Sequence, residues 1–222
     1  MAGFLLFLLI VGGVILIAWW LLSRNKDSGA SELDNDIVTV SKLQVALLAA
    51  AREIQSELTQ MSADADLDSP EGRVELLRES ALALLRKPEY WTHARSESKT
   101  VKSREEAGQL FEEMSIAERR KFETETFSNV EGRIRQRQAD ADPDMELPAY
   151  IVVTLLVGTE DDKPLFESVY SAEDVQQALE RVAAVTPEYL AVFELLWSPQ
   201  NEADSLSDDE LLMEYADMVH IG

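Results

Sequence analysis

Glu194 is the residue whose type and position point most directly to proton chemistry. It lies inside the apolar run from Tyr189 to Trp197, beside Leu195. Burial of a carboxylate in apolar surroundings disfavours its charged form and raises its pKa, which could make Glu194 proton-active. In the alternative interpretation, Glu194 points to solvent from an edge strand and has no chemical role. The sequence therefore offers Glu194 as a candidate and leaves its environment open.

Familiar catalytic motifs are missing from the sequence. There is no G-x-x-x-x-G-K, G-x-G-x-x-G, H-E-x-x-H or G-x-S-x-G pattern, and the two histidines, His93 and His220, lie far apart along the chain. We therefore predict a non-enzymatic protein with no catalytic residues and no cofactor. A hydrolase of unknown type, using a hidden pair among the 42 Asp and Glu residues, is the less favoured alternative.

Two acidic runs resemble calcium-binding loops in part. In the first, Asp64 to Asp68 precedes Glu75, which holds the twelfth position of such a loop. However, Ser69 stands at the sixth position, where the tight turn needs glycine, so the acids fit a helix start better. In the second run, residues 140–144, Pro143 interrupts the pattern. We predict no metal site, and the lack of cysteine excludes zinc fingers and iron–sulfur clusters.

Three large aromatic residues, Tyr90, Trp91 and Trp197, are candidates for an interaction surface, together with Glu194. Rings of this size are effective docking groups when they are exposed, but they more often fill the core between helices and a sheet. Both interpretations are compatible with the sequence.

The chain of 222 residues is strongly acidic, with 20 Lys and Arg against 42 Asp and Glu and a net charge of −22. Such a charge repels nucleic acid, which we exclude as a partner. The charge is also uneven, because residues 86–137 carry 12 basic and 10 acidic side chains, whereas residues 138–222 carry 2 and 20. This asymmetry could guide docking to a positively charged partner, or it could simply keep a tethered domain soluble.

The first segment predicts a membrane anchor. Phe4 to Leu22 is an uncharged and mostly apolar run, long enough as a helix to cross a bilayer core. A cleaved signal peptide is the alternative, but no basic residue precedes the run, the run is long, and no A-x-A follows it. Arg24 and Lys26 follow directly, which predicts that the rest of the chain lies on the cytoplasmic or stromal side.

Apolar periodicity predicts helices in the next part of the chain. A first helix would place the following residues on one face: Val40, Leu43, Leu47, Ala50, Ile54 and Leu58. Ser69 and Pro70 predict the start of a second helix, which would pack on the first as a hairpin. A short helix over Ser103–Met114 and a longer one from an N-cap at Ser115 to about Gln138 would follow.

The last part of the chain predicts a small sheet with two helices. Tyr150 to Val157 fits a strand buried on both faces, and Leu165 to Val169 fits a weaker second strand. Ser171 predicts the cap of a helix, Tyr189 to Trp197 a second strong strand, and Ser207 the cap of a last short helix.

The predicted fold class is thus α+β: an N-terminal transmembrane helix, a helical layer, and a small β-β-α-β-α module. The predicted organisation is an anchor over residues 1–26, a tether over 27–36, a helical region over 37–138, an acidic linker over 139–148 and an α+β module over 149–222.

Four blocks resemble a known family: LLRKPEYW (84–91), SIAERRKFETETFSNVEGRIR (115–135), YIVVTLLVGT (150–159) and ELLWSPQNEADSLSDDELLMEY (194–215). In this order behind a membrane segment, they are similar to the domain-of-unknown-function family 1517 of cyanobacteria and plastids. The resemblance implies a membrane protein of photosynthetic cells, on thylakoid, plasma or envelope membranes, and its plant relatives are linked to acclimation to fluctuating light and to proton balance. It implies no catalytic residue.

We therefore expect a single-span membrane protein whose acidic domain regulates or scaffolds a membrane protein complex. An accessory subunit of an ion or proton transporter is the alternative, and a partner would have to supply the ion pathway, because the predicted span contains no charge.

Overall fold

The computed structural model describes residues 32–51, 53–130, 149–201 and 204–221. The predicted anchor, the first half of the tether and the acidic linker lie outside these ranges. In the ranges that are described, none of the helices combines the length and the apolar character that crossing a membrane requires.

The described residues form one antiparallel sheet of six strands with five α-helices, so the α+β class is confirmed. The strands are β1 (Val38–Leu48), β2 (Trp91–Val101), β3 (Ala149–Thr159), β4 (Leu190–Ser198), β5 (Leu206–Ser207) and β6 (Val219–His220). The helices are α1 (Glu53–Asp64), α2 (Pro70–Leu85), α3 (Arg104–Val130), α4 (Ala172–Ala183) and α5 (Asp208–Glu214). The strand order is β4-β3-β1-β2-β6, and β5 pairs with one end of β3.

The helix predicted from Val40 is wrong over its first part, because Val38–Leu48 is the central strand β1. β1 pairs with β2 on one side and β3 on the other, and nearly all of its residues are buried. A strand covered on both faces loses the alternation that identifies strands, so a helical spacing could be traced through Val40, Leu43 and Leu47. The region 37–138 therefore contributes β1 and β2 to the sheet as well as three helices.

The two faces of the sheet are covered by different helices. On one face, the main apolar core joins β1, β3 and β4 to α1, α2 and α4, and residues such as Leu43, Leu155 and Leu179 are fully enclosed. On the other face, α3 and α5 cover two smaller apolar clusters. The predicted hairpin of two packed helices is present as the contact between α1 and α2.

The two helices predicted to meet at Ser115 are one continuous helix, α3. Its start is as predicted, since Ser103 Oγ accepts a hydrogen bond from the Glu106 backbone N–H at 3.1 Å. Ser115 and Glu118 have the spacing of a capping box, but both are buried inside the helix and contact the sheet instead. Tertiary contacts therefore explain the residue types that suggested a new helix start.

The other helix starts are confirmed. Ser69, Ser171 and Ser207 each accept a hydrogen bond from a backbone N–H in the first turn of α2, α4 and α5, and Ser207 and Glu210 form a complete capping box.

Strands β3 and β4 confirm the two strong strand predictions. The weaker strand over Leu165–Val169 is wrong, because this segment has no strand structure. Phe166 and Val169 are apolar because they pack into the main core from a loop.

Candidate functional site

A buried polar layer lies between α3 and the sheet, and we call it the polar layer. Its members come from four elements and are Lys42, Gln44, Thr154, Glu194, Ser115, Glu118, Arg119 and Lys121. It separates the two apolar clusters on this face of the sheet, one around Phe111 and one around Tyr215.

The register of the sheet positions the sheet-borne members. Lys42 of β1 pairs with Leu156 of β3, which pairs in turn with Glu194 of β4. Two residues further along β1, Gln44 pairs with Thr154. Because residues two apart on a strand share a face, all four polar side chains point toward α3.

Glu194 lies in this layer with only 12% of its side chain exposed. Ser115 Oγ donates a hydrogen bond to Glu194 Oε2, and Arg119 Nη2 donates to Ser115 Oγ. Arg119 Nε also lies 3.5 Å from Glu194 Oε1. Burial raises the pKa of Glu194, and the contacts with Ser115 and Arg119 oppose this without cancelling it. The structure therefore shows that Glu194 is buried and does not point to solvent.

Glu118 is the second buried carboxylate, with 3% of its side chain exposed. Lys42 Nζ donates to its Oε1 at 3.1 Å, and Gln44 Nε2 and Lys121 Nζ donate to its Oε2 at 3.0 and 2.7 Å. Glu118 thus ties β1 to α3 through two donors, Lys42 and Gln44, while Lys121 donates from α3 itself. A buried carboxylate with this many charged and neutral donors is compensated for the water it has lost.

Lys121 links the polar layer to α5. Burial lowers the pKa of Lys121, while Glu118 acts in the opposite direction. Its Nζ also lies 4.0 Å from the centre of the Tyr215 ring, a cation–π contact. The layer therefore holds α3 in a fixed position relative to both the sheet and α5.

The structure describes a surface cleft, but it lies elsewhere. It is located between the end of α1 and α2, and its lining includes Met61, Asp64, Glu75 and Glu79. Asp66, on the same cleft, holds the N-cap residue of α2, because its Oδ2 accepts a hydrogen bond from Ser69 Oγ at 2.7 Å. The lining of this cleft combines four carboxylates with the apolar side chains of Met61, Ala65 and Leu76.

Within the described residues, no group of three or more His, Asp or Glu side chains is placed to hold a metal ion. The calcium-like run from Asp64 belongs to the turn before α2. Gly72 closes this turn, since a Cβ there would lie 2.1 Å from the Asp66 carbonyl oxygen.

The aromatic candidates lie mainly in the core. Trp91 and Trp197 are buried in the main apolar cluster, and Tyr90 packs partly buried against it. Trp91 and Trp197 therefore cannot form the exposed docking surface that was one interpretation of the sequence. They fill space between the sheet and α1, α2 and α4, as the alternative interpretation holds.

Two histidines that are far apart in the sequence lie side by side in the structure. His220 of β6 pairs directly with His93 of β2, and their ring centroids are 5.0 Å apart. The Tyr150 ring lies 5.9 Å from the His93 ring. Burial lowers the pKa of His93, nearby His220 lowers it further, and Asp208 raises it. Burial and a hydrogen bond with Asp208 raise the pKa of Tyr150 to about 12.

No local sequence signal could have revealed this histidine pair, since it depends on the short strand β6 returning to the edge of β2.

Comparison with known proteins identifies relatives but no structural precedent. The protein is 34% identical over 191 residues to "Protein FLAP1 homolog A" of Synechocystis sp., a match that covers 82% of this chain and 56% of the relative. It is 35% identical over 216 residues to "FLUCTUATING-LIGHT-ACCLIMATION protein 1, chloroplastic" of Arabidopsis thaliana, which covers 96% of this chain and 55% of the relative. The chain thus spans about half the length of these curated relatives.

No solved structure matches the chain. The family described as "Protein of unknown function (DUF1517)" matches residues 37–221, from just before β1 to just after β6. The family resemblance found in the sequence is therefore confirmed, and the chain belongs to the DUF1517 family.

Proposed function

We propose that the protein is a regulatory or scaffold protein of photosynthetic membranes that acts in acclimation to fluctuating light and has no chemistry of its own. The names of the relatives support the link to light acclimation, since one relative is chloroplastic and the other comes from a cyanobacterium. The predicted anchor at Phe4–Leu22 supports attachment by a single span to a thylakoid or plasma membrane, with the acidic domain on the cytoplasmic or stromal side.

The two buried acids support a non-enzymatic role, because both are engaged in contacts between α3 and the sheet. Glu118 accepts from three side chains, and Glu194 accepts from Ser115 beside Arg119. Neither acid lines the cleft between α1 and α2. Charged groups that bind one another across a packed helix and sheet fix a shape, which is what a binding or scaffold domain needs.

The test is a deletion strain of the source organism, grown in constant and in fluctuating light. We expect slower recovery of photosynthetic electron transport in fluctuating light only, measured by chlorophyll fluorescence. The full chain should restore recovery, and a chain without residues 1–26 should not. Equal acclimation of deletion and parent strains would contradict the proposed role, and full rescue by the shortened chain would contradict the anchor.

A second candidate is an accessory subunit of a proton or ion transporter. It is favoured by two titratable groups whose pKa values the fold shifts, Glu194 and His93, the latter beside the His220 ring. Such groups could let the domain respond to pH beside a membrane. This candidate predicts altered light-induced proton uptake in the deletion strain, and a normal uptake trace would exclude it.

A further inference from the structure

The short helix α5 carries two adjacent apolar side chains that point away from the molecule. Leu212 is 65% exposed and Met213 is 78% exposed. Their neighbours Leu211 and Tyr215 are buried against β3 and β5 in the apolar cluster of this face. Residues four apart lie on the same side of a helix, so α5 directs Leu211 and Tyr215 inward and Leu212 and Met213 outward.

α5 is firmly held, so this exposure does not come from a frayed end. The capping box of Ser207 and Glu210 closes its first turn. At its other end, the Tyr215 ring packs against Lys121 of the polar layer. A fixed pair of exposed apolar groups is pre-organised for binding, because little conformational entropy remains to be lost.

The exposed charged side chains next to this pair along the chain are acidic. Asp208, Asp209 and Glu210 form the first turn of α5 and are exposed, and Glu214 follows Met213 directly. Residues 182–222 contain no lysine or arginine. Two basic groups reach this region, but Arg95 pairs with Asp217 at 2.7 Å and Lys121 lies on the Tyr215 ring. An apolar centre with a mainly acidic rim is typical of a protein interface that selects a partner of the opposite charge.

We propose that Leu212 and Met213, with the acidic residues around them, form the docking surface for a partner protein that offers an apolar pocket rimmed by lysine or arginine. An anionic lipid surface would repel this rim. A second copy of the chain, docked face to face, would bring two acidic rims together. The inference deepens the proposed scaffold role and rests on it for taking a protein as the partner.

Photo-crosslinking in the deletion strain tests the docking surface. One full-length chain carries a photoreactive amino acid in place of Met213, and a matched control carries it in place of Tyr170, which is 70% exposed in a different part of the molecule. We expect a discrete adduct from position 213 only, joined to a peptide of another protein with Lys or Arg beside apolar residues. Adding Leu212→Gln should lower its yield about tenfold.

In isolated membranes, the yield of the position 213 adduct should fall when the salt concentration is raised from about 0.05 M to about 0.5 M, because salt screens the charged rim. An adduct to lipid, to a second copy or to residues 131–148 of the same chain would overturn the proposal. So would equal adducts from positions 213 and 170, or no adduct.

A rescue experiment separates this inference from the proposed function. The double variant Leu212→Gln/Met213→Gln replaces exposed side chains, so its thermal unfolding should match that of the wild type, as should that of the control Tyr170→Gln. In the deletion strain, Tyr170→Gln should restore acclimation and the double variant should not. Full rescue by the double variant would overturn the docking surface while leaving the proposed function intact.

Discussion

The imidazole rings of His93 and His220 meet edge to face at 5.0 Å, at the place where β6 joins the edge of the sheet. Thr92 Oγ1 lies 3.1 Å from His93 Nδ1, the Tyr150 ring packs on the other side, and Asp208 acts on both His93 and Tyr150. A charge on His220 disfavours the charged form of His93, and this is the coupling between the two rings.

We expect His93 to titrate below its ordinary value of 6.5, because burial and then His220 lower its pKa. In His220→Gln the pKa of His93 should rise but stay below 6.5, since burial is the larger cause. Histidine NMR signals followed against pH measure both values. An unchanged pKa in the variant would contradict the coupling.

The stability of the fold should follow the same titration. The folded pKa of His93 is lower than the unfolded one, so the stabilisation from neutral His93 is present above about 6.5 and is lost as pH falls below that value. In His93→Gln, the free energy of unfolding measured in urea should lose this part of its pH dependence. A variant that follows the wild type at every pH would argue against the prediction.

Glu194 should have the opposite effect on stability. Its pKa is raised in the folded state, so the stabilisation from the protonated form is fully present below about 4.5 and is lost as pH rises through the folded pKa. Glu194→Gln is neutral throughout, so its stability should increase relative to the wild type as pH rises from about 4.5 to 7. Urea unfolding at several pH values measures this, with the exposed Glu173→Gln as control. Parallel curves for Glu194→Gln and wild type would contradict it.

The Lys42–Glu118 pair should show strong coupling. Removing one charge leaves the other buried with only its remaining charged partner, Lys121 for Glu118 and Glu97 for Lys42. Glu118→Met and Lys42→Met should therefore each lower the free energy of unfolding, but by less than the cost of breaking an isolated buried pair, which is about 3–5 kcal/mol. The double variant should cost less than the sum of the two, because no unpaired charge remains at β1. Denaturant unfolding of all four proteins measures the coupling, and strict additivity would show that the two side chains do not interact.

The effects on stability of substitutions at Gly158 and Val192 should be coupled by side-chain packing. They pair between β3 and β4, and a Cβ at residue 158 would lie 2.7 Å from Val192 Cγ1. Gly158→Ala should therefore destabilise the protein by about 1–3 kcal/mol through overpacking. In a Val192→Ala background the same change should cost clearly less. Equal costs in both backgrounds would rule out this contact as the cause.

The sequence predicts those parts of the fold whose signals are local. Serine caps identify the starts of α2, α4 and α5, and continuous apolar runs identify β3 and β4, because these signals depend on neighbours in the chain. β1 gives no such signal, since its polar residues are buried. Lys42 and Gln44 look like the solvent face of a helix until Glu118 is known to lie over them.

The candidate sites could be predicted only in part. Glu194 stands out because a charge within an apolar strand is unusual, but its contact with Ser115 depends on how α3 crosses the sheet. In the run Leu211, Leu212, Met213, nothing local tells which side chain points inward. Trp197 attracts attention as a large aromatic residue, yet its burial depends on helices from other parts of the chain.

The place of β1 in the middle of the sheet has a consequence for the synthesis of the protein. Among the described strands β1 leaves the ribosome first, but its neighbour β3 begins only at Ala149. Both sides of β1 are open until β2 has been translated, and the side that β3 will cover stays open until residue 149, which makes β1 a template for aggregation. The core can therefore close only after Thr159 has emerged, and until then a chaperone that covers Val38–Leu48 would protect the growing polypeptide.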